Sequence, residues 1–455
     1  MRRLAPALLL LLGGCLGKEI QPVAVPPVPP PAAWRTDDAA AGRIDATWWQ
    51  AFGDPVLAAL VERALANNSD IAISAGRVRE ARGNLRAVSA ALLPTLDGAL
   101  AGGSSRSVSG VGTPLNQNYY EPLAQVGYEI DLFGRLADQK AAARNAYLAS
   151  EAGQDAARLA IANAVANAYI TLLGLDARLD VARATVAARS DSLRLAQSRV
   201  DRGYSPQLEL DQARAEYQAA VQIIPQAELA IVRIEDSLSL LTGDTPHAIA
   251  RGAKLDSLAA PGVPAGLPSD LLRRRPDIAQ AEYQLAAADR SLAAARKRFL
   301  PRLTLSASGG VAVSDALVDP ITLWSLGGSV LAPLFEGGRL TGATEAAAGQ
   351  RDQAAFAYRR ATLGAFREVE DALAGVKRLD EQAAAAAAQR DALQQVLRRA
   401  TNRYKEGYSP YLEQLDAQRQ LLASQLGLVQ ARTDALNARV QLYAALGGGW
   451  TPEKR

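Results

Sequence analysis

Cysteine, histidine and methionine each occur once in the 455 residues, as Cys15, His247 and Met1. One cysteine excludes an intrachain disulfide and a multi-cysteine zinc site, and one histidine excludes a two-histidine metal site. Aromatic residues make up only 5% of the chain, and no Gly-rich loop that would cradle a phosphate is present. Hydrolytic, redox and phosphoryl-transfer chemistry therefore has almost no reagents, and no enzyme activity, metal or cofactor is expected. The formal net charge of +3 gives no reason to expect a nucleic-acid partner. At 49% apolar and 21% charged residues, the chain is still too apolar to be disordered and long enough for a large core or two domains.

The single cysteine has a place. Arg2 and Arg3 precede an apolar stretch from Leu4 to Leu12, and Gly13-Gly14-Cys15 follows. A short basic, apolar, small-residue sequence reads as a secretory signal, too short to span as a helix. Leu12-Gly13-Gly14-Cys15 resembles a bacterial lipobox, in which the thiol is acylated and Cys15 becomes the first residue. A plain signal peptide with an incidental cysteine is the alternative. Leu16 rather than an aspartate follows, which in the lipoprotein sorting pattern favours the outer membrane. No other apolar run reaches about 18 residues, so no transmembrane helix is expected.

Past a Pro-rich tether from Pro22 to Pro31, expected to be extended and poorly ordered, the sequence repeats. Asp70-Ile71 recurs as Asp277-Ile278 and Leu93-Pro94 as Leu300-Pro301, offset by 207. Gly134-Arg135-Leu136 recurs as Gly338-Arg339-Leu340, and Gly203-Tyr204-Ser205-Pro206 as Gly407-Tyr408-Ser409-Pro410, offset by 204. Leu210-Asp211-x-x-Arg214 recurs as Leu415-Asp416-x-x-Arg419, offset by 205. A period this long means a duplicated module rather than a solenoid unit. The expected organisation is a signal peptide (1–14), a lipid-anchored tether (15–47), repeat 1 (48–242), a Pro-rich linker (243–268), repeat 2 (269–448) and a short tail (449–455).

Each repeat has one internal order: a helical stretch (Pro55 to Leu92; Ser269 to Phe299), a segment with strand character, a long helix, a Gly-Tyr-Ser-Pro turn and a returning helix. In the turns, Gly203 and Gly407 suit the left-handed position after a helix, Ser205 and Ser409 suit the N-cap, and Pro206 and Pro410 suit the first helical residue. The returning helices carry seams every seven residues, at Leu210, Tyr217, Ile224, Ile231 and Leu238, and at Leu415, Leu422, Val429, Leu436 and Tyr443. Seams this regular imply coiled-coil packing. Pro225 is expected to kink or break the first returning helix. The long helices, from Arg135 to Arg202 and from Arg339 to Glu406, would each reach roughly 100 Å. The returning helices cover about half of that, so the first helix of each repeat is expected to stack on them.

The segments Pro94 to Phe133 and Pro301 to Phe335 each allow two strands of about ten residues, joined by loops such as Gly112 to Asn118 or Ser314 to Pro320. Four strands cannot close a membrane barrel, whose minimum is about eight, and an open edge in lipid is too costly. Three chains would supply twelve. A small soluble sheet packed on the helices is the alternative.

Together these residues resemble the TolC-like outer-membrane factor family, in its OprM-like and NodT-like lipoprotein branch. The resemblance runs over nearly all of the mature chain. It rests on Trp48-Trp49-x-x-Phe52-x-Asp54-x-x-Leu57, on Arg274-Arg275-Pro276-Asp277-Ile278 leading to Phe299-Leu300-Pro301, on Pro333-Leu334-Phe335-Glu336-Gly337-Gly338-Arg339, and on Tyr411-Leu412-x-x-Leu415-Asp416-Ala417-Gln418-Arg419. It implies a mainly α fold with a small β part: a homotrimer with a twelve-stranded barrel in the outer membrane and a twelve-helix tunnel in the periplasm. The implied partners are outer-membrane lipid, a periplasmic adaptor and an inner-membrane pump of the resistance-nodulation-division type. The implied role is a passive exit duct for small molecules such as drugs. A duct for type I protein secretion or metal efflux shares the fold, and a non-pore coiled-coil lipoprotein is a third reading.

The resemblance also places Glu413 and Asp416 in an acidic ring lining the periplasmic gate, with Asp211 at the equivalent place in repeat 1. Glu413, like Glu209, is explained equally by its first-turn position, where a carboxylate complements the helix dipole. Asp416 lies beyond the dipole's reach, and a solvated helix face is its alternative. Tyr404 matches a tyrosine that helps latch the closed aperture in relatives, whereas Ser409 stands where some relatives carry a latching arginine. Trp48 and Trp49 are expected to pack as a hydrophobic anchor near the tunnel's waist.

Overall fold

The computed structural model describes residues 21–35, 44–264, 266, 268–315 and 317–451. The signal peptide, Cys15 and parts of the tether (16–20 and 36–43) lie outside the described residues, as do the last four residues of the tail. Two compact units are present, and each draws on both repeats. Of the described residues, one takes 21–27 with Gly76–Ala152 and Ala279–Arg360; the other takes the rest, from 28 to 75, Gly153–Ile278 and 361–451.

The helices are α1 (Pro55–Asn67), α2 (Ser69–Ala90), α3 (Arg135–Asp201), α4 (Gln207–Val221), α5 (Ile223–Thr242), α6 (Pro268–Arg274), α7 (Pro276–Lys297), α8 (Arg339–Lys405) and α9 (Tyr411–Ala445). The long helices α3 and α8 have 67 residues each, about 100 Å at 1.5 Å per residue, as the spacing predicts. The stretch expected as one helix from Pro55 is two. Asn68 stops α1 and caps α2, its Oδ1 accepting from the Asp70 and Ile71 amides at 2.8 and 3.3 Å. In repeat 2, Pro276 starts a new helix after Arg275 in the same way. Pro225 breaks the first returning helix into α4 and α5 at Gln222, because a proline four residues after Val221 cannot donate to its carbonyl. By length and composition, one window of α3 is apolar enough to cross a membrane, and half of that window is buried inside the protein.

The first unit holds an antiparallel sheet of β1 (Thr95–Val108), β2 (Pro114–Ile130), β3 (Arg302–Ser314) and β4 (Ile321–Leu331), in that order. The first two strands are longer than expected, and their loop is 109–113 rather than 112–118. The Ser109 amide donates to the Thr113 carbonyl at 2.8 Å and Gly112 turns at φ 87°. Pro114 opens β2, where a missing N–H is tolerated.

The register gives this sheet two faces. Leu96 pairs with Val126, Val126 with Ala307, Ala307 with Leu326, Leu303 with Val330 and Gly309 with Trp324. Residues paired across strands project to one side, so Leu96, Leu100, Val126, Leu303, Leu305, Val311, Val313, Trp324, Leu326 and Val330 share a face. The opposite face carries Asp97, Gln117, Glu121, Gln125, Glu129, Thr304, Ser306, Ser308 and Ser325. No residue of β1 or β4 is buried. Among the described residues, most of the apolar face is uncovered within its own unit, which gives no support to a sheet packed on the helices. At the sheet-to-helix corner, the Asp131 carboxylate accepts from the Leu136 and Ala137 amides at 3.0 and 2.7 Å, while Lys297 pairs with Asp138 at 2.7 Å.

The tether is extended but held. Asp352 accepts from the Val23 amide at 3.0 Å, and Arg359 donates to the Pro26 carbonyl at 2.6 Å. Proline removes N–H groups but leaves carbonyls free, and Arg359 of α8 takes that of Pro26, so the extended tether lies against α8 at these points.

The second unit contains the main core. Trp48, Phe52, Leu57, Val61, Tyr169, Ile170, Leu238, Leu436, Val440 and Tyr443 are buried together, and Trp48 stacks on Tyr443 with centroids 5.1 Å apart. Asp54 caps α1 through the Val56 amide at 2.8 Å and also accepts from Tyr169 Oη at 2.8 Å and the Ala253 amide at 2.9 Å. Of the seam residues, Leu210, Ile231, Leu238, Leu415, Leu436 and Tyr443 are buried; Tyr217, Ile224, Leu422 and Val429 are half-buried.

Candidate functional site

The two Gly-Tyr-Ser-Pro turns belong to the second unit and end helices α3 and α8. Gly203 and Gly407 adopt φ 73° and 81°, a left-handed conformation that costs glycine nothing. The Tyr204 amide donates to the Arg199 carbonyl and the Tyr408 amide to the Arg403 carbonyl, each at 2.8 Å, which is the closing bond of a Schellman turn. The N-cap assignment is corrected. Pro206 and Pro410 have ψ of 154° and 159°, so each proline is itself the extended cap residue and the helices begin at Gln207 and Tyr411. Ser205 and Ser409 therefore lie one residue outside the helix and make no capping bond; the Ser409 hydroxyl is buried without a hydrogen-bond partner.

Side chains of both turns converge on one cluster. Tyr404, at 3% exposure, packs with Ala196, Leu210, Ala213, Tyr411 and Leu415. Its ring lies 5.4 Å from that of Tyr411, and the Arg199 guanidinium sits 4.3 Å from the ring centroid, within cation–π range. Tyr404 Oη donates to Glu209 at 3.1 Å. Arg199 also donates to the Tyr404 and Lys405 carbonyls, each at 3.3 Å, satisfying acceptors left open at the end of α8. Burial, reinforced by Glu209, pushes the Tyr404 phenol above its ordinary pKa, and burial pushes that of Tyr411 up to about 12.

A second polar layer lies seven residues farther along α4. Arg189, 4% exposed in its side chain, ion-pairs with Glu216, 11% exposed, and donates to the Glu216 carbonyl at 2.7 Å. The other oxygen of Glu216 accepts from Arg419 of α9 at 2.6 Å. Beside it, Gln418 donates to Ser192 Oγ at 3.1 Å. Repeat 1 thus supplies Arg189 and Glu216, where the matching positions of repeat 2 are Leu393 and Leu421.

The acidic candidates lie outside both layers. Asp416 is exposed and accepts from Gln420 at 2.6 Å. Glu413 is exposed, in the first turn of α9, 3.5 Å from Arg403. Asp211 accepts from Gln207 at 3.3 Å and lies 3.7 Å from Arg214. The structure joins Tyr404 to Glu209 and leaves Asp416, Glu413 and Asp211 solvated. Arg199, Arg189 and Glu216 escape sequence reading, and Tyr411 enters it only as part of a motif; the one signal available is Arg419 within a duplicated motif.

The family profile described as outer membrane efflux protein matches residues 60–244 and 267–448. The solvent efflux pump outer membrane protein SrpC of Pseudomonas putida is 35% identical over 97% of this chain and 97% of its own length. The pyoverdine export outer membrane protein OpmQ of Pseudomonas aeruginosa is 34% identical over 98% of this chain and 96% of its own. Among solved structures, the open state of the Neisseria gonorrhoeae MtrE outer membrane channel superimposes with a TM-score of 0.83, at 27% identity, over 95% of this chain and 98% of that one.

Proposed function

Because the chain belongs to the outer membrane efflux protein family, we propose that it is the outer-membrane exit duct of a tripartite efflux system, assembled as a homotrimer. The observation that carries this reading is the sheet. One face gathers large apolar side chains from all four strands, with Arg106, Asn116 and Asn118 confined to the loop end of β1 and β2; the other carries Asp97, Glu121, Glu129 and most of the amide and hydroxyl groups, and among the described residues β1 and β4 each leave an edge unpaired. Unpaired backbone groups and an uncovered apolar face are both costly in water, and an open edge is costly in lipid. Three copies joined edge to edge close twelve strands, with the apolar face toward lipid and the polar face toward a lumen.

In this reading Cys15 carries the lipid anchor, and a periplasmic adaptor and an inner-membrane pump of the resistance-nodulation-division type deliver small molecules to the duct. The relatives named for solvent efflux and pyoverdine export support a small-molecule cargo. Ducts for protein secretion or metal efflux would share the fold, and a neighbouring pump gene of one type separates them. The hairpin turns form the periplasmic gate, latched by Tyr404 and lined by Asp416, Glu413 and Asp211. Reconstitution of the purified protein in planar lipid bilayers, with cross-linking of its oligomer, tests the duct. Trimers with single-channel conductance are expected; a monomer without conductance returns the chain to a structural lipoprotein.

A further inference from the structure

The duplicated Leu-Asp-x-x-Arg motif occupies two different states in one molecule. In repeat 1, Arg214 stays on its own helix, 3.7 Å from Asp211, with both side chains more than half exposed. In repeat 2, the matching Arg419 leaves its helix and reaches Glu216 of α4 at 2.6 Å, while Asp416 is left to Gln420. The same residue types at the same spacing therefore have two accessible partners: a local carboxylate three residues back and a carboxylate on the neighbouring hairpin.

The two arginines on Glu216 are not equivalent. Arg189 is buried and grips both the carboxylate and the backbone carbonyl of Glu216, so removing either member would strand a charge away from water. The Arg419 side chain is 57% exposed. Its departure leaves Glu216 still compensated by Arg189 and puts no charge into a dry site. The bridge between α4 and α9 is thus built with one permanent and one detachable half.

We propose that Arg419 is a two-position charge: it ties α9 to Glu216 in the state seen here, and on release it folds back onto Asp416, as Arg214 already does on Asp211. The proposal rests on the reading of Asp416 as a gate residue. Its consequence is that swinging α9 away from α4 and neutralising the aperture carboxylate are one event. Each of three chains would then present a bare Asp416 when the hairpins are tied and a paired one when they part.

Two substitutions break the same bridge and separate this device from a simple tie. Arg419→Gln frees α9 and leaves Asp416 bare. Removing Glu216 frees α9 and releases Arg419 to Asp416. Glu216→Gln would strand Arg189, so the second variant is Arg189→Leu with Glu216→Leu, the residue type that repeat 2 carries at both matching positions. Full-length trimers in planar bilayers are expected to open more often with either variant. Their cation-over-anion preference should move in opposite directions, up for Arg419→Gln and down for the double leucine variant, by roughly two- to fivefold. The difference should vanish when Asp416→Asn is added to both. Equal shifts of the same sign, with Asp416→Asn alone still altering selectivity, would overturn the swap and leave the gate reading intact.

If Asp416→Asn alone leaves selectivity unchanged, the gate reading fails, and the swap is decided by stability. A double-mutant cycle of Arg419→Gln and Asp416→Asn on trimer unfolding should give no coupling with Glu216 present. In the leucine background it should give roughly twofold coupling, the size of a pair three residues apart on a helix. No coupling in either background rejects the two-position charge.

Discussion

Tyr404 Oη reaches across two repeats to Glu209, 195 residues earlier in the chain, at 3.1 Å. The bond links the end of α8 to the first turn of α4, and Arg199 covers the ring from α3. Tyr404→Phe keeps the ring stacked on Tyr411 and removes only this bond. A hydrogen bond to a charged acceptor contributes about 1.5–3 kcal/mol, and partial exposure brings this one to the lower end. Open probability in bilayers is expected to rise roughly tenfold, and Glu209→Gln should rise less because an amide still accepts. No change in either variant would remove Tyr404 from the latch.

The tyrosine pair also gives the cluster an alkaline limit. Burial raises the Tyr411 pKa from 10.0 to about 12, so the folded state holds its phenol proton where the unfolded chain has lost it. The stabilisation is complete below pH 10.0, and it is lost as pH rises toward about 12. Unfolding followed between these limits should be less steep in pH for Tyr411→Phe than for the unaltered protein. An identical pH slope for the variant would show that Tyr411 carries no such linkage.

Much of this arrangement is legible in the sequence, and the exceptions share a cause. The seven-residue seam at Leu210, Ile231, Leu415 and Leu436, the left-handed Gly203 and Gly407 and the break before Pro225 are local, set by periodicity or by one residue's backbone. Ser205 and Ser409 read as caps in the sequence because Pro206 and Pro410 serve as well at the cap as just inside the helix, and only ψ distinguishes the two. Strand ends in β1 and β2 were blurred because Gly and Ser weaken alternation. The Arg189–Glu216–Arg419 layer joins residues 27 and 203 positions apart, and no local pattern marks a charge whose partner arrives from another helix. The tether's hold on Asp352 and Arg359 is non-local in the same sense.

The triple glycine after α9 is a packing requirement. Gly447, Gly448 and Gly449 all have positive φ, at 90°, 56° and 78°. A Cβ on Gly447 would stand 1.9 Å from the Arg274 carbonyl oxygen, and one on Gly449 would stand 2.5 Å from the Asp45 backbone. Gly447→Ala is therefore expected to abolish assembly rather than weaken it, since both the conformation and the space are denied. Gly83→Ala is the control: it lies exposed in α2 with nothing within 4 Å and should stabilise by about 0.5–1 kcal/mol. Heat resistance of the oligomer on a gel reads both. A Gly447→Ala protein that assembles normally would mean the chain end can move aside.

The acidic residues after the second Gly-Tyr-Ser-Pro turn are the proposed lining of the gate, and ion conduction tests them. Asp416 and Glu413 are exposed, and their neighbours Gln420 and Arg403 leave the carboxylates in contact with water. Three chains would set six such carboxylates around one aperture, where like charges raise the local concentration of cations and bind divalent ions in preference. Asp416→Ala with Glu413→Ala should lower cation conductance and relieve block by divalent cations, each by severalfold. High salt should shrink the difference, because charges more than about 8–10 Å apart are screened at 0.1–0.15 M. Glu413→Ala alone should do less, since Arg403 at 3.5 Å already offsets that carboxylate. If conductance and block stay unchanged in the double variant, both carboxylates belong to a solvated helix face, and the first-turn dipole explains Glu413 unaided.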